Sequence, residues 1–334
     1  MVGRYVSFRL QRTLNDSLLS IITHPFSLIL AACVLDGLFG DPVYPLHPIR
    51  LLGAWSLAWE RWLFAMGLDG HWGGALHWLL VAGGALAVWW SMHQGLYFFH
   101  PGAAWLWDVF WAYSLLCMRD LLVHGARVRD ALEDLPRARK EVAMLVGRDT
   151  GNLSRDGIAR AAIESLSENL TDGVLTPLWA LCLFGLPGLV LVKAASSLDS
   201  MVGYKNTRYR RFGRVAARLD DLIHWLPARL SVPLIMLAAA LLGLHPVQAG
   251  KGAWRYHGML ASPNSGWSEA AFAGALKVRL LGPIRYGGEL AGEVFLGEPD
   301  WPSDLGAADL HRALRLVATC CLLAIAVGLV LASI

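Results

Sequence analysis

Apolar residues fall in runs at positions 26–40, 74–92, 103–118, 174–195, 230–244 and 314–334, separated by polar blocks. A helix needs about 20 apolar residues to cross the hydrocarbon of a bilayer. Runs 74–92 and 314–334 meet that length, and 103–118 is shorter but strongly apolar and aromatic. Runs 26–40 and 230–244 are short, and 174–195 is interrupted by Gly185-Leu186-Pro187-Gly188. Broken backbone at membrane depth is tolerated where protein covers it or where it lines a cavity. The interruption therefore predicts a re-entrant hairpin. Residues 119–171 are polar and mostly helical by pattern, with a turn-rich joint at 149–156 and a helix over 154–172 closed by Gly173. Residues 251–311 are polar with Gly and Pro throughout, and Ser262-Pro263-Asn264-Ser265-Gly266 is a turn that opens a helix. The pattern predicts an all-α integral membrane protein. It is one domain over residues 1–334, a helical bundle with several spans and re-entrant or buried helices.

Composition agrees. Hydrophobic residues make up 55% of the chain and charged residues 16%, against about 25% charged in soluble domains. Residues 1–24 read as a basic, amphipathic lead-in (Arg4, Arg9, Arg12) without a small-residue cleavage site, so no removable signal peptide is expected. Cations also cluster at 119–160, 205–229 and 251–285. The positive-inside tendency assigns all four clusters to the cytoplasmic side. That holds if only three runs cross fully and 26–40, 174–195 and 230–244 dip in and return; a bundle of four to six spans is the rival. The five cysteines all lie in apolar runs without a CxxC pair and read as core thiols. No P-loop, HExxH, GxSxG or nucleic-acid motif is present.

The chemistry concentrates in residues 148–229. On a helix, Arg160, Glu164, Glu168 and Asp172 recur every four residues and form one stripe, with Asn169 beside it. Three carboxylates on one stripe repel unless a cation sits among them, and Mg²⁺ with oxygen ligands fits. A solvated, ion-paired helix face is the alternative. Asp199 sits in a small-residue turn, Ser196 to Gly203. Lys205, Arg208, Arg210, Arg211, Arg214 and Arg218 follow before the next acid. Such a run suits phosphate groups, although a headgroup-binding patch accounts for some of it. Asp220 and Asp221 are either an ion-paired face or metal ligands. Asp36, Asp41, His47 and Arg50 stand among fixing Gly and Pro residues, and Asn264 and Ser265 sit where helix amides can seat an anion.

Five blocks in this order carry a resemblance: LDGLFGDP with HPIRLLG, ARAAIESLSENLTDGVLTPL, SSLDSMVGYKN, FGRVAARLDDLIHWLPARL and SPNSGWSEAAFAGAL. The chain resembles the CobD/CbiB family of cobalamin biosynthesis, the cobinamide-phosphate synthases, from about residue 35 to about residue 286. The resemblance implies ATP- and Mg²⁺-dependent amide ligation of adenosylcobyric acid with (R)-1-aminopropan-2-ol or its O-phosphate. It implies a multi-pass protein of the bacterial cytoplasmic (inner) membrane with its active site facing the cytoplasm. Its partners are then the lipid bilayer and other late membrane enzymes of the pathway, and no nucleic acid. On that basis Glu168, Asp172, Asp220 and Asp221 are expected to hold Mg²⁺. Asp199, Glu164, Asp172 and Lys205 are expected to carry the chemistry, Asp199 as base. Asp36, Asp41, His47, Arg50, Asn169, Arg208, Asn264 and Ser265 are expected to bind substrates. A non-catalytic AmpE-like membrane sensor and a transporter are the alternatives.

Overall fold

A computed structural model describes residues 24–42, 44–282, 284–286, 289–292 and 294–333. The lead-in up to residue 23 lies outside the described residues. The chain is helical almost throughout: α1 (Pro25–Phe39), α2 (Pro48–Ala65), α3 (His71–Phe99), α4 (Pro101–Ser114), α5 (Met118–Ala131), α6 (Leu135–Ala143) and α7 (Arg155–Asn169). A π-helical turn (Leu170–Leu175) leads into α8 (Thr176–Val202), followed by α9 (Arg214–Leu241), α10 (Pro246–Tyr256), α11 (Ser265–Leu276) and α12 (Ala307–Ala332). Between α11 and α12 lie two small antiparallel pairs, β1 (Leu280–Leu281) with β4 (Phe295–Leu296) and β2 (Ile284–Tyr286) with β3 (Glu289–Gly292). This is the all-α, multi-span membrane fold that the hydrophobic runs predict.

Among the described residues four helical stretches are long and apolar enough to cross a membrane: α3, α7 through α8 (interrupted at Gly185), α9 and α12. The three-span expectation is corrected at two places. Most of run 230–244 is the tail of α9, a 28-residue helix from Arg214 to Leu241 that takes Pro227 and Pro233 in its interior. Residues 103–118 supply only the 14-residue α4, too short to cross.

The chain groups into two compact units. The first comprises Met1–Leu116, Pro177–Ala217 and Val327–Ile334. Three of its helices start alike, with His then Pro. His24, His47 and His100 each accept, through Nδ1, the amide of the residue two positions on, at 3.2, 3.3 and 3.0 Å. Proline follows at the first helical position, where its missing N–H costs nothing. In α8, Gly185 is non-helical (φ 65°, ψ −160°) and Pro187 follows. A Cβ on Gly188 would stand 2.9 Å from the Ala180 carbonyl oxygen. Eight residues of straight helix would separate them by about 12 Å, so α8 folds back at this break, as the Gly-Leu-Pro-Gly interruption predicts.

The second unit comprises Cys117–Thr176 and Arg218–Ala326. In α11 every residue but Trp267 is buried. Its small residues let backbones touch: a Cβ on Gly274 would meet the Gln248 carbonyl at 2.1 Å. The β pairs fall within a region that its Gly, Pro and polar content marks only as irregular.

Candidate functional site

In the second unit, α7 and α11 contribute carboxylates to one cavity of about 240 Å³. Arg148, Glu164, Glu168 and Glu269 line it, with Leu145, Val146, Leu260 and Leu281 as apolar wall. Glu164 is 8% exposed at its side chain and pairs with Arg148, itself 9% exposed. The other Glu164 oxygen accepts the Leu281 amide at 2.8 Å. Leu281 has φ 60°, a left-handed conformation that a bulky residue rarely adopts, and this bond holds its N–H toward the cavity. Both oxygens of Glu164 are thus engaged, which suits a positioning role better than the catalytic one expected from sequence.

Glu168 and Glu269 differ from Glu164. Glu168 is exposed, and Glu269 is 3% exposed. No hydrogen bond or ion pair joins either carboxylate to another group among the described residues. Burial pushes the Glu269 carboxyl well above the ordinary carboxylate range, and the nearby charges of Glu168 and Glu164 add to the effect.

The four-residue stripe does not persist as one set. Arg160 is taken up structurally: it pairs with Asp156 at 2.6 Å and donates to the backbone oxygens of Leu281 and Ser303. Gly173 does not close the helix, because the chain passes through the π turn, whose i→i+5 bonds take an extra residue per turn. Asp172, within that turn, meets α9 instead. His224 Nε2 lies 3.9 Å from Asp172 Oδ1, and Nδ1 lies 3.2 Å from Asp220 Oδ1 and 2.9 Å from the Asp220 backbone oxygen. A carbonyl only accepts, so Nδ1 carries the proton. Among the described residues no group of three His, Cys, Asp or Glu side chains stands at metal-holding distances. Asn169 bonds back to Ser165 of its own helix. Asn264 donates to the Asp221 backbone oxygen at 2.8 Å, and the amides of Asn264 and Ser265 both donate to Ser262 Oγ. The anion seat expected there is filled by the chain's own serine.

The remaining candidates belong to the first unit. His47 Nε2 lies 2.6 Å from Asp41 Oδ1, while Nδ1 caps α2. Asp36 is buried on α1 and Arg50 is exposed on α2. Asp199 sits on the last turn of α8, its carbonyl accepting the Gly203 amide at 2.7 Å. The basic loop that follows is anchored rather than loose. Phe212 is fully buried against Phe64, with centroids 4.9 Å apart, and Asn206 Oδ1 accepts the Tyr209 amide. Arg208 is clamped: Glu60 Oε1, on a side chain 4% exposed, accepts from it at 2.7 Å and from the Tyr209 hydroxyl at 3.0 Å. Lys205, Arg210 and Arg211 remain exposed.

The family model for CobD/Cbib protein matches residues 29–317. The chain belongs to the CobD/CbiB family. It is 39% identical over 305 residues to a cobalamin biosynthesis protein CobD of Yersinia enterocolitica, covering 88% of this chain and 93% of the relative. A CobD of Geobacter metallireducens is 40% identical over 86% of this chain and 91% of its own length. A CobD of Klebsiella pneumoniae is 38% identical over 90% and 97%. No solved structure matches the chain.

This places the chain among cobalamin biosynthesis proteins, with the role of a biosynthetic enzyme. Within this CobD/CbiB chain, sequence reasoning missed Glu269, Arg148, His224 and Glu60. Glu269 lies in a small-residue helix whose all-round burial is its only signal. Arg148 and Glu164 are 16 residues apart, and no periodicity links them. His224 follows Asp220 by four residues, a spacing that places both on one helix face.

Proposed function

We propose that the protein catalyses ATP- and Mg²⁺-dependent amide ligation of adenosylcobyric acid with (R)-1-aminopropan-2-ol or its O-phosphate, at the cytoplasmic face of a bacterial inner membrane. Membership of the CobD/CbiB family, over nearly the full length of its relatives, is the observation that carries this reading. A carboxylate does not react with an amine unaided. Transfer of the terminal phosphoryl of ATP to the corrinoid carboxylate gives an acyl phosphate and ADP. Attack by the amine then forms the amide and releases phosphate, and the ammonium proton passes to a base.

The donors present suit Mg²⁺, which binds oxygen and commonly keeps waters while bridging substrate phosphates with only one or two protein carboxylates. Asp172, with its side chain 32% exposed, would hold it, with His224 Nε2 3.9 Å from its Oδ1. When bound, the ion neutralises charge on the phosphoryl being transferred. In the first unit, exposed Lys205 with Arg210 and Arg211 forms an anchored basic surface suited to anionic substrate groups.

The test uses the full chain in lipid nanodiscs with adenosylcobyric acid, the amine, ATP and Mg²⁺. Amide and ADP should appear together, and only with all four present. ADP formation indifferent to the corrinoid would remove the ligase reading. Asp172→Asn should abolish ligation while the protein stays in the membrane. Turnover like the wild type in that variant would remove the metal assignment.

A further inference from the structure

The cavity beside α7 carries more negative charge than it neutralises. Arg148 is spent on Glu164, whose second oxygen takes the Leu281 amide. Glu168 and Glu269 are left facing the same space of about 240 Å³. Glu269 is 3% exposed and lacks a hydrogen bond or ion pair among the described residues. A carboxyl so far from water keeps its proton until a cationic or hydrogen-bonding partner arrives. The partner must be small, because the cavity is. It must tolerate apolar contact, because leucine and valine form much of the wall.

A hydrated divalent ion meets the charge, but without substrate phosphates to complete its octahedron it wants several protein oxygens, and the three glutamates do not stand at metal-holding distances among the described residues. A primary ammonium carries three donors, enough for both carboxylates, on a short carbon chain that can lie against Leu145 and Leu260. We propose that this cavity is an amine subsite, in which Glu168 and Glu269 hold the ammonium of a short amino alcohol. The inference rests on the ligase reading only for the identity of that amine. The free amino alcohol and its O-phosphate share the ammonium. The phosphate would in addition find the N–H groups that Arg148 does not give to Glu164.

The experiment measures binding by calorimetry to the full chain in nanodiscs, without ATP or corrinoid. The probes are 1-aminopropan-2-ol, its O-phosphate, propan-2-ol and Mg²⁺ alone, on the wild type and on Glu269→Gln and Glu168→Gln. The wild type should bind one equivalent of at least one of the two amines and no propan-2-ol. Each variant should weaken amine binding at least about tenfold, the order expected when one charge-assisted contact is lost. In turnover, KM for the amine should rise while KM for ATP stays. Amine binding unchanged in both variants overturns the subsite, as does a wild type that binds neither amine. Loss of Mg²⁺ binding in place of amine binding also overturns it, since the carboxylates would then be metal ligands. Amine binding that is intact and carboxylate-dependent in a protein without ligase activity would refute the reaction and leave the subsite standing. If Glu269→Gln fails to fold, Glu168→Gln carries the test, because Glu168 is exposed.

Discussion

Glu164→Ala tests the division of labour among the three glutamates. The substitution leaves the Arg148 guanidinium, 9% exposed, without its carboxylate. Stranding one member of a buried pair costs about 3–5 kcal/mol. The Leu281 amide loses its acceptor as well, worth about 1–3 kcal/mol where water cannot replace it. Water entering the cavity offsets part of this, so a net loss of about 3–5 kcal/mol is expected, a large share of the roughly 5–15 kcal/mol that holds a folded protein. Removing both charges, in Arg148→Met with Glu164→Leu, strands neither and should cost far less than the two single losses added together. Chemical unfolding in bicelles, followed through the fluorescence of the 15 tryptophans, measures Glu164→Ala together with the four proteins of the Arg148→Met, Glu164→Leu cycle. A loss below about 1 kcal/mol for Glu164→Ala, or a double variant that loses the full sum, would refute the reasoning. So would a Glu164→Gln protein of undiminished stability with no turnover, because Glu164 would then act in the chemistry.

Gly213→Ala should lower stability by about 1–3 kcal/mol, because a Cβ there would stand 1.7 Å from the Val202 carbonyl oxygen. Limited proteolysis should cut the basic loop faster in that variant, and an unchanged pattern would show that the loop is not anchored at this contact. Substrate-free protein should lose thermal stability as pH rises above the ordinary glutamate range. The folded state keeps the proton on Glu269, whereas the unfolded chain releases it, and stability falls wherever the native state binds more protons. The fall ends once pH passes the raised folded value. Glu269→Gln should flatten this part of the Tm profile, and a profile of unchanged slope would count against the buried carboxyl as its source.

Much of the architecture was legible along the chain because bilayer thickness and helical rise impose a length on any apolar span. Runs 74–92 and 314–334 became α3 and α12. The fold-back in α8 was legible too, since glycine at positive φ followed by proline breaks the hydrogen-bond ladder wherever it occurs. So was the acidic character of α7, although its four-residue repeat suggested a single stripe.

Only the tertiary structure separated the members of that stripe. Arg160 serves the backbone oxygens of Leu281 and Ser303, Glu164 serves Arg148, Glu168 faces a cavity, and the π turn carries Asp172 toward His224. Local spacing cannot decide this, because each partner comes from a segment distant in sequence. Glu269 shows the same limit. Its neighbours are alanines and glycines, and nothing local marks it as chemical. It matters because a small-residue helix can be packed deeply enough to bring a lone carboxylate beside two others.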